Sequence, residues 1–387
     1  MPTDRPSPSG ARPTTIAVDA MGGDHAPAEI VAGAVGAAAE RDIGVVLAGR
    51  PSQLRPLLAS HISGPRRNQA GPAAVGDGAR AAGARALADR VKIATAEDAI
   101  AMDEGALASW RRPRSSVAIA CQLVRRGQAE AVVSAGSTGG IVATARLRLR
   151  SQPGVIRPGL AAVLPTRPRP TVLIDAGAIS DPRPEMLLQF AHLGVAYAQV
   201  ACGIDEPRVG LLTIGAEPGK GNKLTRRAHE LLAGAPPHGV QPIRFVGNLE
   251  GSDLLSAKAD VIVTDGFTGN VALKAVEGAA AFAAGQLRRA LLGSATAKFG
   301  AMFQRRVLRE LGERMDAETY GGAALLGLEG TVVIAHGAST ARGITAACHL
   351  AADLAGGQIT EQIRAQFGPA RGGHFLRRSS HPHSPGS

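Results

Sequence analysis

Two glycine loops carry the side chains best suited to chemistry. Lys220 stands between Gly219 and Gly221 in Gly215-Ala-Glu-Pro-Gly-Lys-Gly-Asn222. Further on comes Asp265-Gly266-Phe-Thr268-Gly269-Asn270, with Lys274 one helical turn beyond. A lysine flanked by glycines is a mobile positive charge beside bare backbone N–H donors, which suits phosphate or an oxyanion. Asn222 and Asn270 can donate to charge developing on an oxygen. Asp265 can orient a lysine or cap a helix, and Asn270 and Lys274, four residues apart, share a face if the segment is helical. Asp19-Ala-Met-Gly22-Gly23-Asp24-His25 adds acid and base groups. Ser134-Ala-Gly136-Ser137-Thr138-Gly139-Gly140 adds hydroxyls and more N–H donors. Each residue alone also fits a plain turn or cap; their number in one chain points to a shared pocket for an anionic substrate.

The same residues argue against other chemistries. The Lys220 loop is not a Walker A loop, because Asn222 stands where Ser or Thr would follow Gly-Lys and the spacing differs. Ala135-Gly-Ser-Thr-Gly139 has Ala at the first position of a Gly-x-Ser-x-Gly elbow, so a serine nucleophile is not expected. Neither His-Glu-x-x-His, Cys-x-x-Cys nor clustered carboxylates occur, and no metal or other cofactor is expected.

Stepping outward, each loop ends a short apolar run and opens a segment of helical spacing. Residues 209–214 (VGLLTI) precede the Lys220 loop, and Leu224, Ala228, Leu231 and Leu232 follow at i, i+4, i+7 and i+8. Residues 261–264 (VIVT) precede Asp265, and Ala272, Ala275, Val276, Ala279 and Ala283 repeat the pattern. Further strands are expected at 14–18, 43–48, 91–95, 131–134, 171–174 and 331–335, the last two feeding Asp175-Ala-Gly177-Ala178 and His336-Gly-Ala-Ser339. Alternation of strand, glycine loop and helix predicts a three-layer α/β/α fold with a mostly parallel sheet. Ligands then sit at the carboxyl ends of strands, where helix N-termini favour anions.

Residues 14–366 are expected to form a single catalytic domain between disordered tails at 1–13 and 367–387. His374, His381 and His383 in the second tail are poor metal ligands. Residues 60–90, rich in Ala, Gly, Pro and Arg, read as a flexible insertion with room for a short helix. Residues 278–320 read as a projecting amphipathic helical pair that packs on the body or a second copy. Its arginines also suit an anionic membrane or an acidic carrier protein. The +11 net charge favours acidic partners, while 3% aromatics leave few stacking surfaces, so nucleic acid is not expected. Cys121, Cys202 and Cys348 lie too far apart for a disulfide framework and read as buried thiols of a reducing compartment. Neither a secretory leader nor a membrane span is expected, since the first residues show no apolar stretch and no long apolar run is free of charges.

Together these stretches resemble the bacterial phosphate acyltransferase family PlsX. The matching segments are IAVDAMGGDHAP (16–27), VSAGSTGG (133–140), RPGLAAVLPT (157–166), LIDAGA (173–178), PRVGLLTIGAEPGKGN (207–222), FVGNLEG (245–251), DVIVTDGFTGNVALKAVEG (260–278) and GGAALLGLEGTVVIAHGAS (321–339). The resemblance implies a fold similar to isocitrate dehydrogenase and phosphotransacetylase. It also implies a homodimer in the cytoplasm that works peripherally at the inner face of the cell membrane. The implied reaction converts acyl carrier protein thioester and inorganic phosphate to acyl phosphate and free carrier, for a membrane glycerol-3-phosphate acyltransferase. Phosphate itself is the nucleophile in that scheme. Lys220 would hold phosphate or oxyanion charge, Asn222 and Asn270 would donate, and Asp265 and Lys274 would orient them. His25 is the candidate proton donor to the leaving thiolate, with His336 ranked below it. Asp19, Gly22, Gly23, Asp24, Ser134, Gly136, Ser137, Thr138, Gly139, Gly177, Gly219, Gly221, Gly266, Thr268 and Gly269 would line the substrate pocket. The family usually has Asn where Ser137 and Ile179 stand; Ser137 keeps a hydrogen-bonding group and Ile179 does not. Two alternatives remain: a phosphotransacetylase-like enzyme using coenzyme A, and a non-catalytic scaffold for membrane or carrier.

Overall fold

A computed structural model describes residues 13–63, 77–236 and 240–367. Both expected tails, except Pro13 and Phe367, and residues 64–76 of the expected insertion lie outside that range. The strands are β1 (Thr15–Asp19), β2 (Gly44–Gly49), β3 (Val91–Thr95), β4 (Ala131–Ser134), β5 (Gly159–Leu164), β6 (Thr171–Ile174), β7 (Arg208–Leu212), β8 (Arg244–Leu249), β9 (Val261–Val263), β10 (Ala323–Leu326) and β11 (Thr331–Ile334). The helices are α1 (Ala28–Glu40), α2 (Pro51–Ser63), α3 (Asp77–Arg90), α4 (Ala108–Arg111), α5 (Ser116–Arg125), α6 (Thr138–Leu149), α7 (Pro184–Cys202), α8 (Lys223–Ala233), α9 (Gly266–Leu292), α10 (Ala295–Phe303), α11 (Arg305–Met315), α12 (Ala341–Gly356) and α13 (Ile359–Gln366). The strands expected at 91–95, 131–134 and 171–174 form with those bounds, and the other five end within two residues of expectation. Continuous β-branched and aliphatic runs succeed here because β4, β6, β9 and β11 are buried along their whole length, as strands covered on both faces must be.

All eleven strands join one sheet in the order β3-β2-β1-β4-β11-β10-β5-β6-β9-β7-β8. Most neighbours are parallel, but β11–β10, β10–β5 and β5–β6 are antiparallel. Three reversals leave β6, β9, β7 and β8 running opposite to β1, β2, β3, β4 and β11. The sheet is therefore two parallel blocks of opposed sense, joined by β10 and β5. Adjacent strands twist by roughly 20–25°. Over the four steps from β11 to β9 this turns the blocks by about 80–100°, so their carboxyl ends approach one another across one face.

The core is built on α7, where every residue from Met186 to Ala198 is buried. A helix apolar all round needs cover on all sides, and α7 has it from β6, β9, α8, α12 and α13. Gly194 lets it lie close to the sheet, since a Cβ there would sit 2.5 Å from Val261 Cγ1.

The stretch expected as a helical pair holds three helices. At 27 residues, α9 is about 40 Å long. It leaves the body beyond Gly278, and α10 and α11 fold back along it. Phe282, Phe299, Met302, Phe303 and Val307 are all more than half exposed on this arm. No described helix is long and apolar enough to cross a membrane.

Phe190 of α7 is fully buried against Gly159. Phe190→Ala is expected to cost about 3–5 kcal/mol in urea unfolding, whereas Ile214→Ala, at an 83% exposed position, stays within about 0.5 kcal/mol.

Candidate active site

The turn after β6 is tied by one carboxylate. Asp175 is fully buried. Its Oδ1 accepts the N–H groups of Leu160, Gly177 and Ala178 at 3.0, 3.1 and 2.8 Å, and its Oδ2 accepts that of Ile179 at 2.7 Å. Burial pushes this carboxyl above the ordinary value, against those donors. The first turn of α9 packs directly on the loop. A Cβ at Gly269 would fall 1.9 Å from the Asp175 carbonyl oxygen, and one at Gly266 would fall 2.8 Å from Asp175 Oδ2. Only glycine permits this approach. It sets Asn270 against Gly177, where an added Cβ would touch the Asn270 side chain at 3.5 Å.

Beside this contact lies a cavity of about 890 Å³. Thr138, Ser180, Asn270, Lys274, His336 and Ser339 are among its polar lining, and Leu160, Ala162, Leu164, Leu273, Val276, Ala280, Ala281 and Ala284 form much of its apolar wall. The two strand blocks meet here, since Thr138 and His336 follow β4 and β11 while Gly177 and Asn270 follow β6 and β9. Asn270 and Lys274 share the cavity face of α9, as their spacing requires. Lys274 Nζ pairs with Glu277 Oε2 at 2.7 Å, and both line the cavity. His336 Nδ1 accepts the Ala338 N–H at 3.2 Å, which in the neutral ring puts the proton on Nε2.

Helix N-termini at this site differ in what already satisfies them. Asp265 caps α9, accepting the Thr268 N–H at 2.8 Å. At α12, Glu318 accepts the Thr340 N–H and Glu29 accepts the Ala341 N–H. At α6 no side chain serves as cap, because Ser137 Oγ instead donates to the Glu104 carbonyl at 3.1 Å. Thr138, the first residue of α6, faces the cavity. That end keeps its N–H groups and its positive dipole for an anion.

Of the residues expected at the site, Thr138, Gly177, Gly266, Asn270, Lys274 and His336 line the cavity. Thr268 and Gly269 belong to the α9 turn behind it. Asp19 and Ser134 lie in the sheet interior, Ser134 Oγ donating to Asp19 Oδ2 at 2.6 Å. Gly22 and Gly136 pack on that pair, and Gly23, at φ +112°, fits beside Ala135. Gly139 sits beside the Ala106 backbone. Asp24 and His25 are exposed and do not line the cavity, so His25 is poorly placed to protonate a leaving group there. Lys220 and Gly219 are exposed and also lie off the cavity. Asn222 Oδ1 is occupied as the cap of α8, accepting the Thr225 N–H at 2.9 Å, beside Gly221 at φ +95°. β7 runs parallel beside β9, so the Lys220 loop leaves the same sheet end as α9, one strand away. Of the two roles expected for Asp265, orienting a lysine or capping a helix, the cap is the one its contacts show, and Lys274 pairs with Glu277. Asp175 and Ser339 received no role from the sequence, although each lies in a strand-end turn of the kind that flagged Asp265.

The family described as fatty acid synthesis protein matches residues 14–69 and 80–362. A phosphate acyltransferase of Thermobifida fusca is 58% identical over 373 residues, covering 96% of each chain. One from Heliobacterium modesticaldum is 43% identical, covering 87% of this chain and 92% of its own. Among solved structures, a phosphotransacetylase from Streptococcus pyogenes aligns with a TM-score of 0.55 at 17% identity, covering 89% of this chain and 94% of that one. The EutD phosphotransacetylase from Staphylococcus aureus aligns at 0.52 with 14% identity, covering 89% and 94%. At such identities these two report the fold alone.

Two substitutions check this geometry. Gly269→Ala is expected to destabilise by about 1–3 kcal/mol through overpacking, while Gly219→Ala, with open space around it, stays within about 0.5 kcal/mol. Burial raises the Asp19 carboxyl above its ordinary value of 3.8. The folded chain then holds a proton that the unfolded chain releases, so stability falls as pH rises through that window. Urea unfolding at about pH 4 and about pH 7 should show the wild type losing stability relative to Asp19→Asn at the higher pH; the opposite drift would mean that the buried carboxylate is stabilised as the anion.

Proposed function

The chain belongs to the fatty acid synthesis protein family and is a phosphate acyltransferase, and from that premise we propose that it transfers the acyl group of an acyl carrier protein thioester to inorganic phosphate. The observation that carries this reading is a single cavity joining an anion-suited end to an apolar groove. The groove takes the acyl tail, each buried methylene contributing roughly 0.8 kcal/mol. The polar end takes phosphate at the uncapped N-terminus of α6, with Thr138 beside it and Lys274 supplying positive charge. Asn270 donates to the oxygen of the thioester carbonyl as negative charge develops there.

A phosphate oxygen attacks the carbonyl carbon, the C–O bond forms and the C–S bond breaks. The proton of hydrogen phosphate ends on the carrier sulfur, and the His336 Nε2–H is the group we assign to donate a hydrogen bond to that sulfur as it leaves. No acyl-protein intermediate is needed, because holding both reactants in one cavity supplies the proximity. Lys220 is assigned to a loop that closes over phosphate from the neighbouring strand, with Gly219 and Gly221 giving it freedom to swing.

The exposed apolar face of the α9–α11 arm supports a homodimer contact and a peripheral approach to anionic membrane on the cytoplasmic side. There the acyl phosphate would pass to a membrane glycerol-3-phosphate acyltransferase in phospholipid synthesis.

The test supplies acyl carrier protein thioester and phosphate, follows free carrier thiol, and traps acyl phosphate with hydroxylamine. Acyl-coenzyme A is run in parallel. Carrier-dependent turnover is expected, with Asn270→Ala lowering kcat by about 10²–10³-fold. A protein-bound acyl group trapped during turnover, or an Asn270→Ala rate equal to wild type, would defeat the proposed chemistry.

A further inference from the structure

The groove changes calibre along its length. The side chains that α9 gives to its lining grow smaller along the helix, from Leu273 and Val276 near Asn270 to Ala280, Ala281 and Ala284, and Gly312 of α11 is also on the lining. Leu273, Val276, Ala280 and Ala284 follow at i, i+3, i+7 and i+11, one face of the helix. From Asn270 to Ala284 is fourteen residues along α9, about 21 Å of axis. The reacting end and the end lined by small side chains are thus far apart along α9. A side chain enlarged at the far end takes space from the tip of a bound chain without touching the reacting atoms.

We infer that this distal segment determines acyl-chain length, with Ala281 and Ala284 of α9 and Gly312 of α11 as the positions that fix how long a chain is accepted. The inference rests on the reading of the groove as the acyl site. Gly312 is the most informative position, because a Cβ built there meets nothing within 4 Å. A leucine at this lining position therefore meets open space rather than protein atoms, and replacing glycine in a helix favours the helix. Ala284 tests the same cavity from α9.

The experiment compares kcat/KM for octanoyl, lauroyl and palmitoyl carrier protein in the wild type, Gly312→Leu, Ala284→Leu and Ala275→Leu. Ala275 lies on the same helix but does not line the groove, so its variant is the control. Both groove variants should keep octanoyl activity within about twofold of wild type. They should lose palmitoyl activity by about tenfold for every two methylenes displaced, with the control unchanged in preference. Equal loss on all three substrates, or no change on any, overturns the chain-length assignment while leaving the acyl-transfer reading intact. A wild type that makes no acyl phosphate from any carrier thioester overturns that reading and this inference together.

Discussion

The Asp175 carboxylate is the constraint from which the site follows. A buried charge is tolerable only when its lone pairs are met, and here four backbone N–H groups converge on two oxygens. One of those donors, Leu160, belongs to β5, so the carboxylate joins two strands as well as closing its own turn. The compact turn that results leaves a surface on which only a glycine-faced helix can land, and Gly266 and Gly269 land there. Because α9 is little supported beyond Gly278, the angle at which it departs is set at this one contact. That angle decides whether Leu273, Val276 and the alanines that follow stand over β5 as a groove wall. Charge burial, turn geometry and groove width are thereby one linked problem.

Opposed strand polarity solves a second problem. A single parallel block offers one row of loops at one edge. Two blocks of opposite sense, twisted across β10 and β5, bring two rows to one cavity from different directions. The β4 and β11 loops contribute Thr138 and His336; the β6 and β9 loops contribute Gly177 and Asn270. Anion and acyl chain can then be held by different blocks, with the carbonyl where they meet.

Much of this was legible in the sequence, and the limits have physical causes. Strands buried on both faces announce themselves as apolar runs, so β4 and β6 can be bounded from residues alone. β5 (GLAAVL) and β10 (AALL) are short of the β-branched residues that mark a strand, and with them the reversal of polarity stayed hidden. α7 is apolar on all sides and lacks the periodicity that marks a helix. In α9 the period was right but the face was not: Ala272 and Val276 pack inward, whereas Ala275, Ala279 and Ala283 are exposed. Alanine on every side leaves nothing to set the phase. Asn222 and Asp265 illustrate a different limit. Asn and Asp beside a glycine suit an anion site and a helix cap equally, and only the position of the next N–H decides between them.

That contest between cap and ligand also bears on where phosphate can sit. Asp265 at α9, with Glu29 and Glu318 at α12, places carboxylates at two helix ends near the cavity, and a phosphate at either would face a like charge. Among the described residues no carboxylate caps the α6 end, so the same dipole that two helices spend on internal anions stays free at the third. The thiols argue in the same direction for the mechanism. Desolvation pushes Cys121, Cys202 and Cys348 up to about 12, which denies the chain a thiolate near neutral pH. The hydroxyls in the cavity lack the bonded base that activates a serine. With no activated side-chain nucleophile among the described residues, the oxygen best placed to attack an acyl group in this groove is one that arrives as the anion itself.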